Sequence, residues 1–351
     1  MTTPSHPDAF TNAWLEDALK APRGALKGFS AKSIGTGQMS KSFRISLDWN
    51  DDQQQPKSVV TKCPSSDPST KAIAAALGSY SLELGWYREL AQQSTVSCPR
   101  CLHLESENGD QDFVIVLEDL APARQGDQLA GASIAQIEAA IRQAARLHAP
   151  FWNNEITAAI PWLKPNELSA NMVRDLLPGL YTQFRERYAN RLSHDILAMG
   201  DVFVAHLEGY QNATPSSFTI QHRDFRIDNL LFTPADDHAY VVDWQTFGLG
   251  PGAHDIAYLI GTSIADRGVR GSHERRLVQY YIDELAKLGV VVDFMQIWND
   301  YRLYAFSGFL MAVFAAMNVE RTERGDEMFA VMAERPARQA LDLNSLSLIG
   351  A

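Results

Sequence analysis

The sequence has few cysteines, no excess of basic charge and no long apolar run, and each absence excludes a class of protein. The chain of 351 residues has three cysteines, Cys63, Cys98 and Cys101. This small, odd number argues against a disulfide framework and predicts a reducing, cytoplasmic compartment. The net charge of −11 argues against a nucleic-acid partner, because non-specific binding to nucleic acid depends on basic surface. The most apolar stretch, residues 306–319, is too short to span a bilayer, so we expect a buried helix there and no membrane span.

Two further patterns predict little chemistry. Residues 1–10 contain neither a basic segment nor an apolar segment of the kind that begins a secretory signal, so none is expected. Cys98 and Cys101 form a C-x-x-C pair, but a zinc site would need a second pair of ligands nearby, and none is obvious. We therefore predict ordinary thiols without metal or redox chemistry.

The most informative stretch, His222 to Asn229, reads His-Arg-Asp-Phe-Arg-Ile-Asp-Asn and has the form H-x-D-x4-N. This is the spacing of a kinase catalytic loop, in which the Asp is the base and the Asn binds magnesium. An apolar strand then leads to Asp243, fourteen residues after the Asn, where a kinase keeps its main metal ligand. The pattern predicts phosphoryl transfer from ATP, with Asp224 orienting the acceptor hydroxyl and with Asn229 and Asp243 holding Mg²⁺.

Two neighbouring residues each have two interpretations. Arg226 lies two positions after the candidate base. It either stabilises the transferring phosphoryl group, as a second catalytic residue, or forms a structural salt bridge with Asp228 or another neighbour. Asp255 opens an apolar helix and is either its N-cap or an anchor for the catalytic loop. His222 is expected to brace that loop through hydrogen bonds.

The order of predicted elements indicates an α+β fold with two lobes. In the first third, alternating or β-branched runs predict strands, and a stripe of apolar residues predicts one helix over residues 79–93. The predicted strands cover residues 32–34, 43–47, 58–62 and 112–117, with a hairpin loop at residues 51–57. Residues 1–118 are therefore expected to form a small lobe with an antiparallel sheet, and residues 119–351 a larger, mostly helical lobe.

The larger lobe is predicted to be helical around one β interruption. Ser133 and Gln136 form a capping box that begins a helix reaching about His148. Further helical patterns cover residues 169–185, 193–211, 255–265, 273–288 and 294–320. The β interruption, residues 219–242, contains the candidate catalytic loop. Two lobes of this kind are the plan of protein-kinase-like folds, which hold nucleotide in the cleft.

A second group of candidate residues would bind the phosphates of the nucleotide. Gly35-Thr-Gly37-Gln-Met-Ser40 lies between two predicted strands, and a glycine-rich β-turn can bring backbone N–H groups close to phosphate oxygens. The third position of the usual triple-glycine pattern is a serine here, so a plain hairpin turn fits equally well. Lys62 ends the run Val-Val-Thr-Lys, which is similar to the strand whose lysine clamps the α- and β-phosphates in kinases.

Three further residues complete the predicted nucleotide site. Glu83 is favoured over Glu89 as the carboxylate that orients Lys62, and the two are about 600° apart on a helix, so they cannot share a face. Glu118 and Leu120 follow the last predicted strand. Their backbone groups would contact the adenine edge, while the carboxylates near them fit exposed turn positions equally well.

Taken together, these motifs resemble the superfamily of aminoglycoside phosphotransferases and choline/ecdysteroid-like kinases. The resemblance runs over most of the chain and rests on Gly35, Lys62, Glu83, residues 87–90, 117–120, 147–149, 222–232 and 241–245, and Asp255-Ile-Ala-Tyr258. Asp243-Trp-Gln is similar to the Asp-Phe-Gln or Asp-Trp-Gln of those kinases. The resemblance implies a protein-kinase-like fold and the ATP- and Mg²⁺-dependent phosphorylation of a hydroxyl group on a small molecule.

The chain departs from the usual pattern of that superfamily in its catalytic loop. His222-Arg223-Asp224 replaces His-Gly-Asp, and residues 225–229, Phe-Arg-Ile-Asp-Asn, are closer to phosphotransferase-like domains associated with acyl-CoA metabolism. The acceptor is therefore left open. Trp162, Tyr181, Tyr188 and Trp298 could line its pocket, although their helical spacing also fits a core.

Two other functions compete with a small-molecule kinase. His-Arg-Asp and Arg226 favour a protein kinase, but Asp243 and Asp255 are only twelve residues apart and no Ala-Pro-Glu follows, which leaves no room for a conventional activation loop. A non-catalytic nucleotide-binding scaffold would be expected to lack at least one of Lys62, Asp224, Asn229 and Asp243. All four are present.

Overall fold

The computed structural model describes residues 2–35, 39–50, 55–163, 167–319 and 321–351. Contacts divide the chain into two compact units. The N-terminal unit comprises Met1–Gln93, Cys98–Pro122 and Asp243–Gln245, and the C-terminal unit comprises Ser94–Ser97, Ala123–Val242 and Thr246–Ala351. Residues 243–245 thus join the first unit although they follow the catalytic loop in sequence. The boundary at residues 118 and 119 stays a prediction.

The N-terminal unit is built on a five-stranded antiparallel sheet. Its strands are β1 (Leu26–Ile34), β2 (Ser40–Trp49), β3 (Ser58–Pro64), β4 (Cys101–Glu107) and β5 (Asp112–Glu118). The strand order is β1-β2-β3-β5-β4. In the central strand, Lys62 is paired with Ser42 on one side and with Ile115 on the other. Strand β4 was not predicted, since its sequence, Cys-Leu-His-Leu-Glu-Ser-Glu, is partly polar.

Strand β2 alternates apolar and polar residues, and one face of the sheet lies on the core that its apolar residues form. Ile45, Leu47 and Trp49 are buried at every second position of β2, and Val114 and Val116 are buried in β5. Since successive side chains of a strand point to opposite faces, this spacing directs one face toward a core. Helix α1 (Asn12–Ala18), capped by Thr11, adds Leu15 to the same core.

Two more helices lie between β3 and β4. Helix α2 (Pro68–Leu77) ends at Gly78, which has a φ of 69°, and helix α3 (Ser79–Gly85) follows at once. A π-helix, Trp86–Leu90, and a short 3-10 helix, Ala91–Gln93, continue from α3. The helix predicted over residues 79–93 therefore has the right extent but is not one α-helix. Helices α1 and α2 were not predicted.

The C-terminal unit is mostly helical. Its helices are α4 (Ile134–His148), α5 (Glu155–Ala158), α6 (Glu167–Tyr188), α7 (His194–Ala205), α8 (Leu207–Gln211), α9 (Gly252–Ser263), α10 (Arg267–Lys287), α11 (Phe294–Leu303), α12 (Ser307–Asn318) and α13 (Glu323–Asp342). Helix α4 begins with the predicted capping box. The helical pattern predicted over residues 193–211 forms two helices, α7 and α8. The pattern predicted over residues 294–320 also forms two, α11 and α12, which are joined by a 3-10 turn. Helix α13 was not predicted.

Short strands in this unit frame the loop that carries the candidate base. Strands β6 (Arg124–Gln125), β8 (Leu230–Phe232) and β9 (Ala239–Val241) form one sheet, and β7 (Thr219–Gln221) pairs with β10 (Gly248–Gly250). The loop between β7 and β8 is thus held at both ends by antiparallel pairing. None of the helices within the described residues is long and apolar enough to cross a membrane.

Candidate active site

Within the N-terminal unit, Lys62 lies between two carboxylates. Its Nζ is 2.7 Å from the Glu83 carboxylate and 2.7 Å from Oδ1 of Asp243. Strand β3 supplies the lysine, helix α3 supplies Glu83, and the segment 243–245 supplies Asp243. The structure therefore pairs Lys62 with Glu83, the favoured partner, whereas Glu89 lies in the π-helix.

The three charges perturb each other. Burial by itself would lower the pKa of Lys62, but the charges of Asp243 and Glu83 outweigh it and raise the pKa. Burial raises the pKa of Glu83, the positive charge of Lys62 opposes this, and the negative charge of Asp243 adds to it. The lysine thus stays protonated. Two carboxylates share its single charge, so the group as a whole carries a net negative charge when both are ionised.

Two stacked tryptophans join the segment of Asp243 to the helix of Glu83. The ring centroids of Trp86 and Trp244 are 3.7 Å apart, with planes at 11°, and both side chains are fully buried. The backbone N–H of Trp244 also faces Glu83 Oε1 at 3.4 Å. Trp86 begins the π-helix, a local widening that is frequently found at functional sites. Trp244 thus fixes the position of the Asp243 carboxylate relative to α3.

The candidate phosphate-binding turn begins at Gly35 and ends at Ser40. Gly35 has a φ of +71°, a conformation that favours glycine because it has no Cβ. Gly37, the other predicted nucleotide-binding glycine, lies outside the described residues. Ser40 is buried, and its hydroxyl accepts a hydrogen bond of 2.7 Å from Gln245 Nε2. This contact explains why a serine stands at the third position, since it joins the start of β2 to the segment of Asp243.

The residues after β5 are placed as a turn. The Glu118 side chain pairs with Arg100 at 3.0 Å on the surface, and its backbone N–H donates to the carbonyl of Arg100. Leu120 follows two residues later and is half-buried. Between them, Asp119 accepts hydrogen bonds from Arg44 at 2.8 Å and from Ser58 at 2.7 Å, so this carboxylate is a turn anchor and not an exposed group.

In the C-terminal unit, three donors converge on the carboxylate of Asp224. Arg226 Nε lies 3.1 Å from Oδ1, and the hydroxyl of Tyr258 donates to the same oxygen at 2.9 Å. Asn229 Nδ2 donates to Oδ2 at 2.7 Å and to the backbone carbonyl of Asp224 at 2.9 Å. These contacts turn the amide oxygen of Asn229 away from Asp224 and leave it available as an oxygen ligand.

Arg226 makes the salt bridges that its structural interpretation required. Besides Asp224 it contacts Asp228, with Nη1 2.6 Å from Oδ2. Burial by itself would lower the pKa of Arg226, but the charges of Asp224 and Asp228 and the polar Tyr258 raise it. Asp228 in turn accepts a hydrogen bond from the backbone N–H of Gln128 at 2.8 Å. The guanidinium therefore lies against the candidate base and is fixed there.

Asp255 anchors the catalytic loop. Its two oxygens accept hydrogen bonds from the backbone N–H groups of His222 at 2.6 Å and Arg223 at 2.9 Å. His148 Nε2 lies 3.2 Å from the same carboxylate, which is fully buried. Burial alone would raise the pKa of Asp255, but the hydrogen bonds from the histidines lower it strongly. The N-cap interpretation was wrong, because helix α9 begins three residues earlier with Pro251 as its N-cap.

His222 and Arg223 brace the loop through contacts with the backbone of Val242 and Leu249. His222 Nε2 lies 3.1 Å from the carbonyl of Val242, and Arg223 Nη2 donates to the carbonyl of Leu249 at 2.9 Å. A Cβ at Gly248 would come within 2.7 Å of the Arg223 guanidinium carbon. The arginine that replaces glycine in His-Arg-Asp thus clamps strand β10, and glycine at position 248 makes room for it.

The aromatic residues suggested for an acceptor pocket have different surroundings. Tyr181 and Tyr188 belong to the core of the C-terminal unit, where their hydroxyls bond to the carbonyl of Leu197 and to Asp326. Trp298 is half-buried and stacks with Tyr301. Trp162, also half-buried, packs edge-on against Phe247 at 6.0 Å. The two tyrosines are therefore structural.

The described residues add neither a cluster of metal ligands nor a reactive thiol to this site. No three His, Cys, Asp or Glu side chains of the described ranges are grouped so that they could hold a metal ion. Burial raises the pKa of Cys63 to about 12 and those of Cys98 and Cys101 to about 11. The cysteines are therefore thiols, and not thiolates, at neutral pH.

Sequence patterns missed two contacts in this site. Tyr258 was noted only as part of Asp255-Ile-Ala-Tyr258, and its contact with Asp224 was not predicted. The spacing held a signal, since residues three apart share a helix face and Asp255 was already a candidate anchor. The stacking of Trp86 on Trp244 had no signal in sequence, because it depends on the π-helix.

Solved structures of several small-molecule kinases resemble nearly the whole chain. A choline kinase from Cryptosporidium parvum is 10% identical with a TM-score of 0.52, and the match covers 96% of this chain and 94% of that one. An ethanolamine kinase from Plasmodium vivax is 12% identical with a TM-score of 0.50, over 87% and 80%. An amicoumacin kinase in complex with AMP-PNP and Ca²⁺ is 13% identical with a TM-score of 0.52, over 89% and 90%. The fold is that of the protein-kinase-like phosphotransferases, as predicted.

The family follows from the sequence itself. A profile of the ecdysteroid kinase-like family matches residues 35–292, which is more than half of the chain. The chain therefore belongs to the ecdysteroid kinase-like family, and the resemblance inferred from its motifs is confirmed. No curated protein sequence matches the chain.

Proposed function

We propose that this chain is an ATP- and Mg²⁺-dependent kinase that phosphorylates a hydroxyl group of a small molecule. Asp224 orients the acceptor hydroxyl, Lys62 and Glu83 hold the phosphates, and Asn229 and Asp243 bind magnesium. The turn at Gly35 and Gly37 and the backbone near Glu118 and Leu120 complete the nucleotide site. The similar structures, a choline kinase, an ethanolamine kinase and an amicoumacin kinase, support the same kind of reaction.

The observation that carries the proposal is the position of Lys62 between Glu83 and Asp243. Its Nζ lies 2.7 Å from each carboxylate. Glu83 is almost completely buried, whereas the side chain of Asp243 is 37% exposed. A structural ion pair needs only one partner. A lysine fixed by a buried carboxylate, with a second and more accessible carboxylate beside it, suits phosphate oxygens and a bridging metal.

The donor set fits magnesium. Asp243 offers a carboxylate and Asn229 an amide oxygen, and Mg²⁺ prefers hard oxygen ligands. Magnesium in phosphoryl-transfer enzymes is held by one or two protein side chains together with substrate phosphates. A protein-only cage of three acids is therefore not required. When bound, the metal would spread the charge that develops on the phosphates.

Asp224 suits the role of the group that orients the acceptor hydroxyl and accepts its proton. It would take the proton of the acceptor hydroxyl as that oxygen bonds to the γ-phosphorus and the bond to the β,γ-bridging oxygen breaks, so that ADP leaves. In a loose transition state this proton moves late, so a fixed orientation matters more than strong basicity. Arg226, held by Asp224 and Asp228, would place a permanent positive charge beside the reacting hydroxyl.

The short segment between Asp243 and Asp255 argues against a protein kinase. Within it, residues 248–250 form strand β10, which pairs with β7, and residue 252 already begins helix α9. This backbone is used for structure, and Arg223 holds it at Leu249. Little chain is left to make a docking platform for a peptide.

Release of ADP in a coupled assay tests the proposal. Mg-ATP is supplied with separate panels of amino alcohols, aminoglycosides, sterols, sugars and hydroxyacyl thioesters, and with generic protein substrates. We expect stimulation by at least one class of small molecule and none by proteins. Stimulation by proteins alone would contradict the proposal.

The panel also separates branches of the family. A cationic amine as the best acceptor would indicate a choline- or aminoglycoside-like enzyme, and a hydroxyacyl compound would indicate one linked to acyl-CoA metabolism. Omission of magnesium is the control in every case, since ADP release that persists without the metal would contradict metal-assisted transfer.

A further inference from the structure

A buried tyrosine hydroxyl contacts the carboxylate proposed to orient the acceptor. Tyr258 is 1% exposed and lies on helix α9, three residues after the loop anchor Asp255. Its hydroxyl donates to Asp224 Oδ1 at 2.9 Å. A tyrosine hydroxyl buried beside a carboxylate can act as donor only, because an ionised carboxylate has no proton to give.

The donors around Asp224 are distributed unequally between its two oxygens. Oδ1 receives hydrogen bonds from both Tyr258 and Arg226, whereas Oδ2 receives one from Asn229. Each carboxylate oxygen has two lone pairs in the carboxylate plane. Both acceptor positions of Oδ1 are therefore occupied and one position of Oδ2 is left. The side chain of Asp224 remains 20% exposed, so a substrate can approach it.

We propose that Tyr258 is a positioning residue that, with Arg226, occupies Oδ1 of Asp224 and thereby makes Oδ2 the atom that accepts the proton of the substrate hydroxyl. This inference rests on the proposed kinase function. Tyr258 does not touch the substrate in this role. It prevents rotation of the carboxylate and removes the competing acceptor position, so that the hydroxyl is presented in a single geometry.

The surroundings of Tyr258 hold its ring independently of the hydroxyl. The ring is parallel to that of His254, with centroids 6.1 Å apart and planes at 11°. Removal of the hydroxyl in Tyr258→Phe should therefore leave the ring in place. The expected effect is the loss of one hydrogen bond to a charged group, which corresponds to about a 10- to 100-fold lower kcat. The KM for ATP should stay within about twofold, because the hydroxyl does not contact the nucleotide.

Tyr301→Phe is the matched control. Tyr301 is also fully buried in the C-terminal unit, and its hydroxyl donates to the carboxylate of Glu274 at 2.9 Å. Both variants remove a buried hydrogen bond from a tyrosine to a carboxylate, and Tyr301→Phe also removes the bond that Gln339 Nε2 donates to Tyr301 at 2.7 Å. A general loss of stability should therefore lower both melting temperatures, and that of Tyr301→Phe at least as much. Only Tyr258→Phe should lower kcat.

A double-mutant cycle separates positioning from a structural role. The assay measures ADP release from Mg-ATP with the most active compound of the panel, or with water as acceptor if no compound is active. If Tyr258 acts through Asp224, Tyr258→Phe should have no further effect in an Asp224→Ala background. A structural role would give the same fold loss in both backgrounds.

Three outcomes would overturn the inference. One is a Tyr258→Phe variant with the kcat of wild type or of Tyr301→Phe, and another is an equal loss in the Asp224→Ala background. In either case an active wild type and a much less active Asp224→Ala variant leave the kinase function standing. The third is a wild type without magnesium-dependent ADP release, or an Asp224→Ala variant as active as wild type, which removes the kinase function and this inference together.

Discussion

Asp243 and Asp224 carry the two halves of the proposed chemistry, and their surroundings differ. Asp243 contacts the ammonium group of Lys62 at 2.7 Å, has a side chain 37% exposed, and has a backbone φ of 69°. Asp224 is 20% exposed and receives donors from Arg226, Asn229 and Tyr258. A charged group contacts each carboxylate, Lys62 at Asp243 and Arg226 at Asp224. Two neutral donors, Asn229 and Tyr258, hold Asp224 in addition.

The difference matches what each group has to do. A metal ligand must exchange a protein partner for the ion, and the greater exposure of the Asp243 side chain, 37% against 20% for Asp224, favours such an exchange. A group that orients a hydroxyl gains from being fixed, since small errors in geometry cost large factors in rate. An aspartate is therefore an accessible group in the N-terminal unit, at position 243, and a group fixed by several donors in the C-terminal unit, at position 224.

Replacement of Asp243 should have the largest effect. Asp243→Ala removes the proposed metal ligand, so turnover should fall by more than about 10³-fold and the response to added magnesium should disappear. Asp112 offers a matched control, because it pairs with Lys71 in the same unit at 2.5 Å. Asp112→Ala should keep the magnesium titration curve of wild type. Identical curves for Asp243→Ala and wild type would remove Asp243 from the metal site.

Replacement of Asp224 should be next in size and different in kind. Asp224→Ala should lower turnover by about two to three orders of magnitude, because the acceptor is no longer oriented. ATP affinity, measured by calorimetry with magnesium, should barely change, in contrast to Asp243→Ala. Turnover that survives nearly intact would mean that Asp224 is not the base.

The pair proposed to hold the phosphates, Lys62 and Glu83, should give an intermediate effect. Lys62→Ala should raise the KM for ATP and lower kcat by about 10²-fold in total, and Glu83→Gln should do the same more mildly, because it acts by orienting the lysine. Glu89→Gln is the control, since this residue lies in the exposed part of the π-helix. A larger loss from Glu89→Gln than from Glu83→Gln would contradict the pairing.

The anchor of the catalytic loop should affect stability in a way that depends on pH. The pKa of Asp255 is lowered in the folded state, so its contribution is complete above its unfolded pKa of about 4 and is lost as the pH falls toward the folded value. Asp255→Asn should lower the free energy of unfolding by about 3 kcal/mol at pH 7. Below about pH 4 the gap between variant and wild type should narrow.

The matched control for this stability test is a helix cap in the same unit. Asp266 caps helix α10 from an exposed position, and Asp266→Asn keeps a capping side chain, so it should change the free energy of unfolding by less than about 0.5 kcal/mol. Thermal melts from pH 3 to pH 8 measure both variants. A constant gap for Asp255→Asn over this range would contradict the ionised anchor.

The cysteines should give the smallest effect. Because burial raises their pKa values to about 11 or 12, a thiol reagent at pH 8 should react slowly with the native protein and rapidly with the denatured protein. Replacement of Cys98 and Cys101 by Ser should leave turnover within about twofold. Stoichiometric zinc in the purified protein would contradict the interpretation of ordinary thiols.

Sequence patterns predicted the elements with strong local signals. The capping box at Ser133 begins α4, and strands β3 and β5, rich in β-branched residues, end within two residues of their predicted ends. Strand β4 was missed because all of its side chains are half-buried and alternation is weak. Helix α13, with Pro336 inside it, was missed because a proline normally argues against a helix interior.

The candidate site was predictable where motifs have fixed spacing and not where contacts are tertiary. The loop from His222 to Asn229 and its anchor at Asp255 follow from local patterns. The helix rotation showed that Glu83 and Glu89 cannot share a face, and Glu83 was favoured because Glu89 was expected to make a surface pair. By contrast, the pairing of Ser40 with Gln245 over 205 residues has no local signal, and the spacing of Tyr258 from Asp255 indicates only a shared helix face.

The stacked tryptophans also give the protein an optical property. Two indoles with centroids 3.7 Å apart and nearly parallel planes couple their electronic transitions, so Trp86 and Trp244 should contribute an exciton signal to the circular dichroism spectrum. Since Trp244 follows Asp243 directly, any displacement of that segment during nucleotide binding changes the coupling. A spectrometer can therefore follow the segment of the proposed metal ligand without an added label.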